Sequence, residues 1–209
     1  MQKSYRNGLA VALLAPSLLI HDSAAGFVIT ITPGTKAIFL QVGNGTFTGT
    51  YSGGGTPGNN TLVNQVSVTV PASVLGTGAA QSMTTDSTQT RSPYDNFVFC
   101  NVPAQVYVGG FFRIPSGSST ASLSVTSPTN LLNGVGDTIA FNRIGWTSGG
   151  IGDATATIPS GTFTGATQTL YSFSSNTWAE SCLSFSYANS SVVAPGTYTG
   201  RVTYTLSAP

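Results

Sequence analysis

Residues 194–209 read APGTYTGRVTYTLSAP, and from Thr197 onward apolar and polar side chains alternate. A period of two is the pattern of a β-strand with one buried face, and branched and aromatic residues favour strands. The apolar side chains of one face are Tyr198, Val202, Tyr204 and Leu206. The opposite face carries mostly threonine. The pattern therefore predicts a half-buried strand whose backbone groups need neighbouring strands as partners.

Short runs of the same kind recur along the chain, separated by glycine, proline and asparagine. They predict roughly ten strands and one helical turn around residues 72–76, which is typical of an all-β sandwich or barrel. We expect an immunoglobulin-like antiparallel β-sandwich. The runs are GFVITIT (26–32), KAIFLQV (36–42), NQVSVTV (64–70), NFVFCNV (96–102), AQVYVGGFFRI (104–114), TASLSVT (120–126), DTIAFNRIGW (137–146), QTLYSF (168–173) and SCLSFSY (181–187). Gly109 and Gly110, inside one run, predict a bulge.

The N-terminal residues have the composition of an export signal. Lys3 and Arg6 precede the apolar run LAVALLAPSLLI (9–20), and small residues follow at Ser23 and Ala25. A signal peptide over residues 1–25 is therefore predicted. The alternative is a membrane anchor, which needs about 20 apolar residues. The run over residues 9–20 is shorter than that, so no stable membrane span is expected after cleavage. Residues 26–209 would then form one exported domain.

Composition argues against several classes of function. The chain contains 6% charged and 40% hydrophobic residues, and its single histidine, His21, lies in the predicted signal. Residues 26–209 carry equal numbers of basic and acidic side chains, so no basic patch for nucleic acid is expected. We expect no enzymatic activity, no catalytic residues and no cofactor, because the acidic residues are isolated from one another and histidine is missing.

Two aspartates next to glycines have two interpretations. Asp137 and Asp153 follow GVG and GIG, and could be turn residues or calcium ligands. Two carboxylates are few for a calcium site, so we expect turns and no metal. A glycosidase pair formed by the same two residues depends on their separation in space.

Cys100 and Cys182 are the two cysteines of the chain. In an oxidising compartment an even pair indicates one disulfide, and two buried thiols are the alternative. Closing a loop of this length stabilises a fold by about 4–5 kcal/mol on the chain-entropy model.

The two ends of the chain resemble subunits of chaperone–usher fimbriae, of the α-clade or colonisation-factor type. The opening FVITITPGTKAIFLQVGNG (27–45) is similar to the start of such pilins, with an alternating strand, a proline and an apolar stretch. The ending is similar to the last pilin strand, with its lead-in glycines Gly196 and Gly200 around Tyr198. The chain departs from the family in ending on Ala208-Pro209 and in placing its first cysteine mid-chain.

This resemblance implies a sandwich with an incomplete sheet, whose apolar groove is filled by a strand from a neighbouring subunit. Residues 26–32 would be the donor strand, with Phe27, Ile29 and Ile31 in a neighbour's pockets. The competing interpretation is that they form the first strand of their own sandwich. Tyr198, Val202, Tyr204 and Leu206 would line the acceptor groove. The partners implied are like subunits or other pilins, a periplasmic chaperone and an outer-membrane usher, with a location in the periplasm and then at the cell surface.

A monomeric carbohydrate- or surface-binding module with a complete sandwich is the alternative function. Among the aromatic residues, Trp178 is the candidate for glycan contact, because polar residues and Glu180 surround it. Large aromatic side chains in sandwiches are more often part of the core.

Overall fold

The structure, a computed structural model, describes residues 28–209. Almost all of its regular structure is β, with 3₁₀ turns at Ala72–Val74 and Phe141–Arg143. The strands are β1 (Val28–Thr30), β2 (Ala37–Val42), β3 (Phe47–Thr48), β4 (Thr56–Pro57), β5 (Val66–Ser67), β6 (Gln81–Ser82), β7 (Thr84–Thr85), β8 (Val106–Arg113), β9 (Thr120–Thr126), β10 (Asn130–Leu132), β11 (Thr138–Ala140), β12 (Ile144–Gly149), β13 (Gly161–Thr162), β14 (Thr167–Ser174), β15 (Thr177–Tyr187) and β16 (Thr203–Ser207).

The long strand β15 is the centre of a seven-stranded sheet, and all its pairings are antiparallel. One edge of β15 pairs with β12 along residues 182–187 and with β1 along residues 177–179. The other edge pairs with β8 along residues 177–181 and with β6 at its end. Outside these neighbours, β13 pairs with β12 and β2 pairs with β8. The large sheet therefore ends at β13 on one side and at β2 on the other.

A smaller antiparallel sheet, in the order β14-β9-β16, packs against one face of the large sheet. The apolar side chains between the two sheets form the main core, and they alternate along each strand as the sequence pattern requires. The fold is an immunoglobulin-like antiparallel β-sandwich, as predicted. Its central buried residues are Val106, Val108, Phe112, Leu123, Val125, Phe141, Trp146, Phe163, Phe173, Leu183 and Phe185.

The opposite face of the large sheet is covered by two loop segments, residues 44–60 and 87–100, which we call the cover layer. The amides of Tyr51 and Ser52 in the first segment donate to carbonyls of the second, at 3.0 and 2.9 Å. The disulfide between Cys100 and Cys182 attaches the second segment to β15, with a Cα–Cα distance of 5.5 Å. The predicted pairing of the cysteines is confirmed. NFVFCNV, predicted as a strand, instead belongs to this layer and forms only an isolated bridge between Arg91 and Val98.

The final strand has the predicted facing, but it is less buried than a core strand. Val202, Tyr204 and Leu206 are half-buried and pack against the main core, while the threonines between them are exposed. β16 pairs with β9 through one edge only. Because β16 is the outer strand of the small sheet, no further strand lies beside it to complete the burial of its apolar side chains.

Residues 28–30 lie in their own sheet, which is the competing arrangement for the expected donor strand. β1 pairs with Thr177–Ala179 of the same chain, where β12 leaves the edge of β15 open. Ile29 and Ile31 share the face predicted for them and pack in the cluster around Trp178 of this chain. In the single chain, residues 28–31 therefore have the competing arrangement, and donation of this strand to a neighbour stays a prediction. Phe27 and the predicted signal, residues 1–25, lie outside the described residues.

Within residues 28–209, no helix has the length and hydropathy to cross a membrane.

The facing of the final strand predicts the response to an added charge. Val202→Asp should lower the free energy of unfolding by about 2–3 kcal/mol, because the half-buried carboxylate is partly desolvated without a partner. Thr203→Asp, on the exposed face, should change it by less than about 0.5 kcal/mol. Urea unfolding of the two variants measures the difference. Equal losses would contradict the facing of β16.

Candidate functional site

β2 ends the large sheet and β16 ends the small sheet on the same side of the sandwich, while β13 and β14 are the outer strands at the other ends of the two sheets. β2 pairs with β8 and β16 pairs with β9, and neither strand pairs with another strand among the described residues. Both free edges therefore present unpaired backbone N–H and C=O groups, which is the usual template for pairing with a further strand.

A cleft of about 330 Å³ lies between these two edges. Ile38, opposite Phe112 in the register of β2 and β8, is 47% exposed and forms part of its wall. The cleft therefore combines an exposed apolar side chain with unpaired backbone groups on the strands beside it. The lining residues are Lys36, Ala37, Ile38, Phe112, Leu206, Ser207 and Ala208.

A hydrogen bond closes one end of this cleft, beside Lys36. The ammonium group of Lys36 donates a hydrogen bond to the carbonyl of Pro209, which joins the start of β2 to the residues after β16. Among the residues that line the cleft, Lys36 is the one with a charged side chain. Burial raises the pKa of Tyr204, a half-buried neighbour of Leu206 along β16.

The four predicted groove residues divide into two groups. Val202, Tyr204 and Leu206 follow the small sheet toward the cleft, and Leu206 lines it. Tyr198 lies before β16, where Thr199 bridges to Leu132, and its hydroxyl donates to the carbonyl of Ala194 at 2.9 Å. The structure therefore brings three of the four together along one strand and places Tyr198 beside β10.

Trp178, expected as an exposed glycan contact, is fully buried with 0% of its surface accessible. It lies on the outer face of β15 beneath the cover layer. Phe111 stacks on it at 5.6 Å between ring centroids, and Tyr51 lies at 5.3 Å. The expectation of ligand contact is wrong, because the cover layer excludes solvent from this face of the sheet.

Glu180, two residues further along β15, is a buried carboxyl group that sequence reasoning missed. It is 1% exposed, and its Oε2 accepts hydrogen bonds from the Tyr107 hydroxyl at 2.6 Å, the Trp178 indole N–H at 2.9 Å and the Ser92 hydroxyl at 2.9 Å. Its Oε1 has no partner in the described part of the chain. Burial raises the pKa of Glu180, and burial together with the charge of Glu180 raises the pKa of Tyr107. Glu180 thus ties the sheet to the cover layer.

Gly109 makes this arrangement possible. It faces Glu180 across β8 and β15, and a Cβ atom there would lie 2.3 Å from the Tyr107 hydroxyl oxygen. The absent side chain is the space in which Tyr107 reaches Glu180. The expected bulge at Gly109-Gly110 is not found, since both residues keep regular register with β2 and β15.

The two aspartates considered as calcium ligands lie in separate turns. The carboxylate of Asp137 accepts a hydrogen bond from the side-chain amide of Asn133 at 2.9 Å, and Asn133 in turn accepts the amide of Asp137 at 2.8 Å. The amide of Asp153 donates to Gly150 in its own turn. Residues 28–209 contain no group of three or more histidine, cysteine, aspartate or glutamate side chains placed to hold a metal. Asp137 and Asp153 are therefore both turn residues.

Comparison with protein-family models, with curated proteins and with solved structures finds no match to this chain.

The raised pKa of Glu180 predicts a pH dependence of stability. The folded state binds this proton more tightly than the unfolded chain, so the contribution is complete below the ordinary value of 4.5 and is lost as pH rises from 4.5 through the raised pKa. Glu180→Gln should remove this decrease. Glu180→Leu should cost about 3 kcal/mol or more at every pH, because three buried donors lose their acceptor.

Urea unfolding of residues 26–209 at a series of pH values measures both effects. Asp86 provides an internal check, since hydrogen bonds from Asn64 and Gln65 lower its pKa and its contribution is lost only as pH falls below its ordinary 3.8. An unchanged slope above pH 4.5 in Glu180→Gln would show that another group titrates there.

Proposed function

We propose that this protein is an exported surface subunit of the fimbrial type, which assembles with like subunits by addition of a strand at the cleft between β2 and β16. The observation that supports this is the unpaired edge of β16 beside the exposed side chain of Ile38. A strand added to that edge extends the small sheet and covers the cleft. The resemblance of both chain ends to α-clade pilins points the same way.

Main-chain hydrogen bonds would provide the affinity of such an addition, and alternate side chains its register. β16 offers five residues, Thr203–Ser207, for pairing. The inserted strand needs apolar side chains at every second position, because one of its faces meets Ile38, Phe112 and Leu206 in the cleft. A polar strand would leave the side chain of Ile38 without apolar cover, so the cleft favours a strand with alternating apolar residues.

Residues 27–31 of a neighbouring subunit have this pattern, with Phe27, Ile29 and Ile31 on one face. In the single chain, β1 is held in its own sheet by three residue pairs. Donation therefore requires β1 to leave its own β15, and the neighbour's cleft must compensate for the lost packing of Ile29 and Ile31 around Trp178. Export by the signal over residues 1–25, and delivery by a periplasmic chaperone and an outer-membrane usher, belong to the same proposal.

The alternative is a monomeric carbohydrate- or surface-binding module. The intramolecular pairing of β1 favours it, because in this chain β1 occupies its own sheet beside residues 177–179 of β15. The two functions differ in whether the cleft receives a strand. We propose no catalytic role for either.

A strand fused to the C-terminus tests strand addition directly. Pro209 lies at the end of the cleft beside Lys36, so a second copy of residues 26–32 after a short Asn-Gly turn can run antiparallel to β16. Strand addition predicts that residues 26–209 self-associate, and that the fusion is monomeric and melts about 4–8 °C higher, the shift expected for about 2 kcal/mol in a domain of this size. Size-exclusion chromatography and thermal unfolding measure both.

The matched control carries Phe27→Thr, Ile29→Thr and Ile31→Thr in the fused copy only, with the native β1 unchanged. It should neither stabilise the chain nor prevent self-association. A stable wild-type monomer to which the apolar fused strand adds nothing would reject assembly by strand addition and leave the monomeric binding module.

A further inference from the structure

The second segment of the cover layer contains a turn, residues 91–97, that we call the flap. Its hydrogen bonds are largely internal. The amide of Ser92 donates to the carbonyl of Phe97 at 2.9 Å, and the amide of Asn96 donates back to the carbonyl of Ser92 at 2.9 Å. The Nη1 of Arg91 donates to the carbonyl of Asn96 at 2.9 Å. Because these bonds lie within the turn, the flap can move as one unit without breaking them.

Glu180 is one of the groups that hold the flap to the large sheet. The hydroxyl of Ser92 donates to its Oε2 at 2.9 Å, and the ring of Tyr94 covers Trp178 with 5.6 Å between ring centroids. The disulfide of Cys100, three residues after the flap ends, keeps the base of the flap beside β15. The flap is therefore hinged near its end and held down by a hydrogen bond and an aromatic contact.

Ionisation of Glu180 places a charge beneath the flap. The side chain is 1% exposed, and its Oε1 has no partner in the described part of the chain. Burial raises the pKa of Glu180 and outweighs the hydrogen bonds from Tyr107, Trp178 and Ser92, which lower it. Because a buried carboxylate is unfavourable without water or a cation, the ionised form favours any movement that admits water to it.

Asp95, in the flap itself, is a charged group that acts on Glu180. Its negative charge also raises the pKa of Glu180, so the two ionised carboxylates repel each other and push the flap away from β15. Neither nearby arginine offsets this charge, since Arg91 bonds within the flap and Arg113 bonds Thr35 and Tyr51. The other titratable groups on the elements around Glu180 are Tyr107 of β8, Tyr51 of the first cover segment and Tyr94 of the flap, while β1, β2 and β12 carry no charged side chain.

We propose that the flap is a pH-dependent cover over Trp178, which is closed while Glu180 carries its proton and opens when Glu180 loses it. The closed state binds this proton more tightly than the open state, in which water reaches the carboxyl group. The equilibrium constant for opening therefore rises with pH from the ordinary value of 4.5 and levels off above the raised pKa. The flap contributes no residue to the cleft between β2 and β16, so this proposal does not depend on strand addition.

Hydrogen exchange of residues 26–209 at a series of pH values above 4.5 tests the proposal. The amides of Tyr51 and Ser52 donate to the flap carbonyls of Pro93 and Tyr94, so they lose protection when the flap opens. Their protection factors, corrected for intrinsic exchange, should fall by up to about tenfold per pH unit and then level off, because one proton is released on opening.

Amides of β9, which exchange by global unfolding, distinguish a local opening from loss of the whole fold. The Tyr51 and Ser52 amides should be less protected than those of β9 at every pH. Protection of Tyr51 and Ser52 that does not change with pH, or that equals the protection of β9 throughout, would overturn the proposal.

Variants identify the two carboxylates. Glu180→Gln keeps an acceptor oxygen but cannot ionise, so the protection factors of the same amides should become independent of pH. Asp95→Asn keeps the acceptor for the Phe97 amide, which lies at 2.9 Å, and removes the repelling charge, so the total fall in protection should be smaller than in the wild type. Asp137→Asn, the same change in the turn between β10 and β11, is the matched control and should behave as the wild type.

An unchanged pH dependence in Glu180→Gln would reject Glu180 as the group that controls the flap. Equal behaviour of Asp95→Asn and Asp137→Asn would reject the repulsion between Asp95 and Glu180. Asp95→Asn leaves the buried hydrogen bonds of Glu180 in place, so it tests the proposal even where Glu180→Gln does not fold.

Discussion

The structure depends on how the outer face of β15 is covered. Three successive positions on that face are Trp178, Glu180 and Cys182, and each is at most 1% exposed. An indole, a carboxyl group and a half-cystine cannot be buried there by a second regular sheet, because the carboxyl group needs donors placed around it. The cover layer supplies one donor in Ser92, β8 contributes Tyr107, and the indole of Trp178 itself is the third. The cover layer also holds Cys100, the disulfide partner of Cys182. The loops of the cover layer are therefore a structural layer of the protein.

The central strand and the outer strands of the sandwich differ in how their edges are paired. β15 has partner strands on both edges, and β1 occupies residues 177–179 of the stretch that β12 leaves open. At the opposite margin, β2 and β16 end their sheets without partners in the described part of the chain. The free edges of β2 and β16 therefore border the same cleft, and the exposed side chain of Ile38 lies between them.

The alternation of residue types and the cysteine count predicted the features that depend on nearby residues alone. The alternation over residues 197–207 gave the facing of β16, because strand geometry alone determines which side chains share a face. The even cysteine count gave the disulfide. Trp178 was misjudged because its polar neighbours were taken as evidence of solvent, whereas Glu180 is itself buried by the cover layer. The sequence does contain one indication of this burial. Glu180 alternates with Trp178 and Cys182, so the three side chains lie on the same face of β15, and only one of them is charged. Gly109 was misjudged for a different reason: its missing side chain leaves space for Tyr107 to reach Glu180, and Glu180 is distant in sequence.

The side chains of β2 alternate between the cleft beside β16 and the cover layer. Ile38 faces the small sheet and the open margin, while Phe39 and Gln41 face the cover layer. A strand added at the margin would pair with backbone at the edge of the sandwich and cover Ile38, and it would leave the side chains on the other face of β2 in place. The disulfide and the Ser92–Glu180 hydrogen bond hold the cover layer to β15, two strands away from the free edge of β2, so a change at the open margin need not disturb the cover layer.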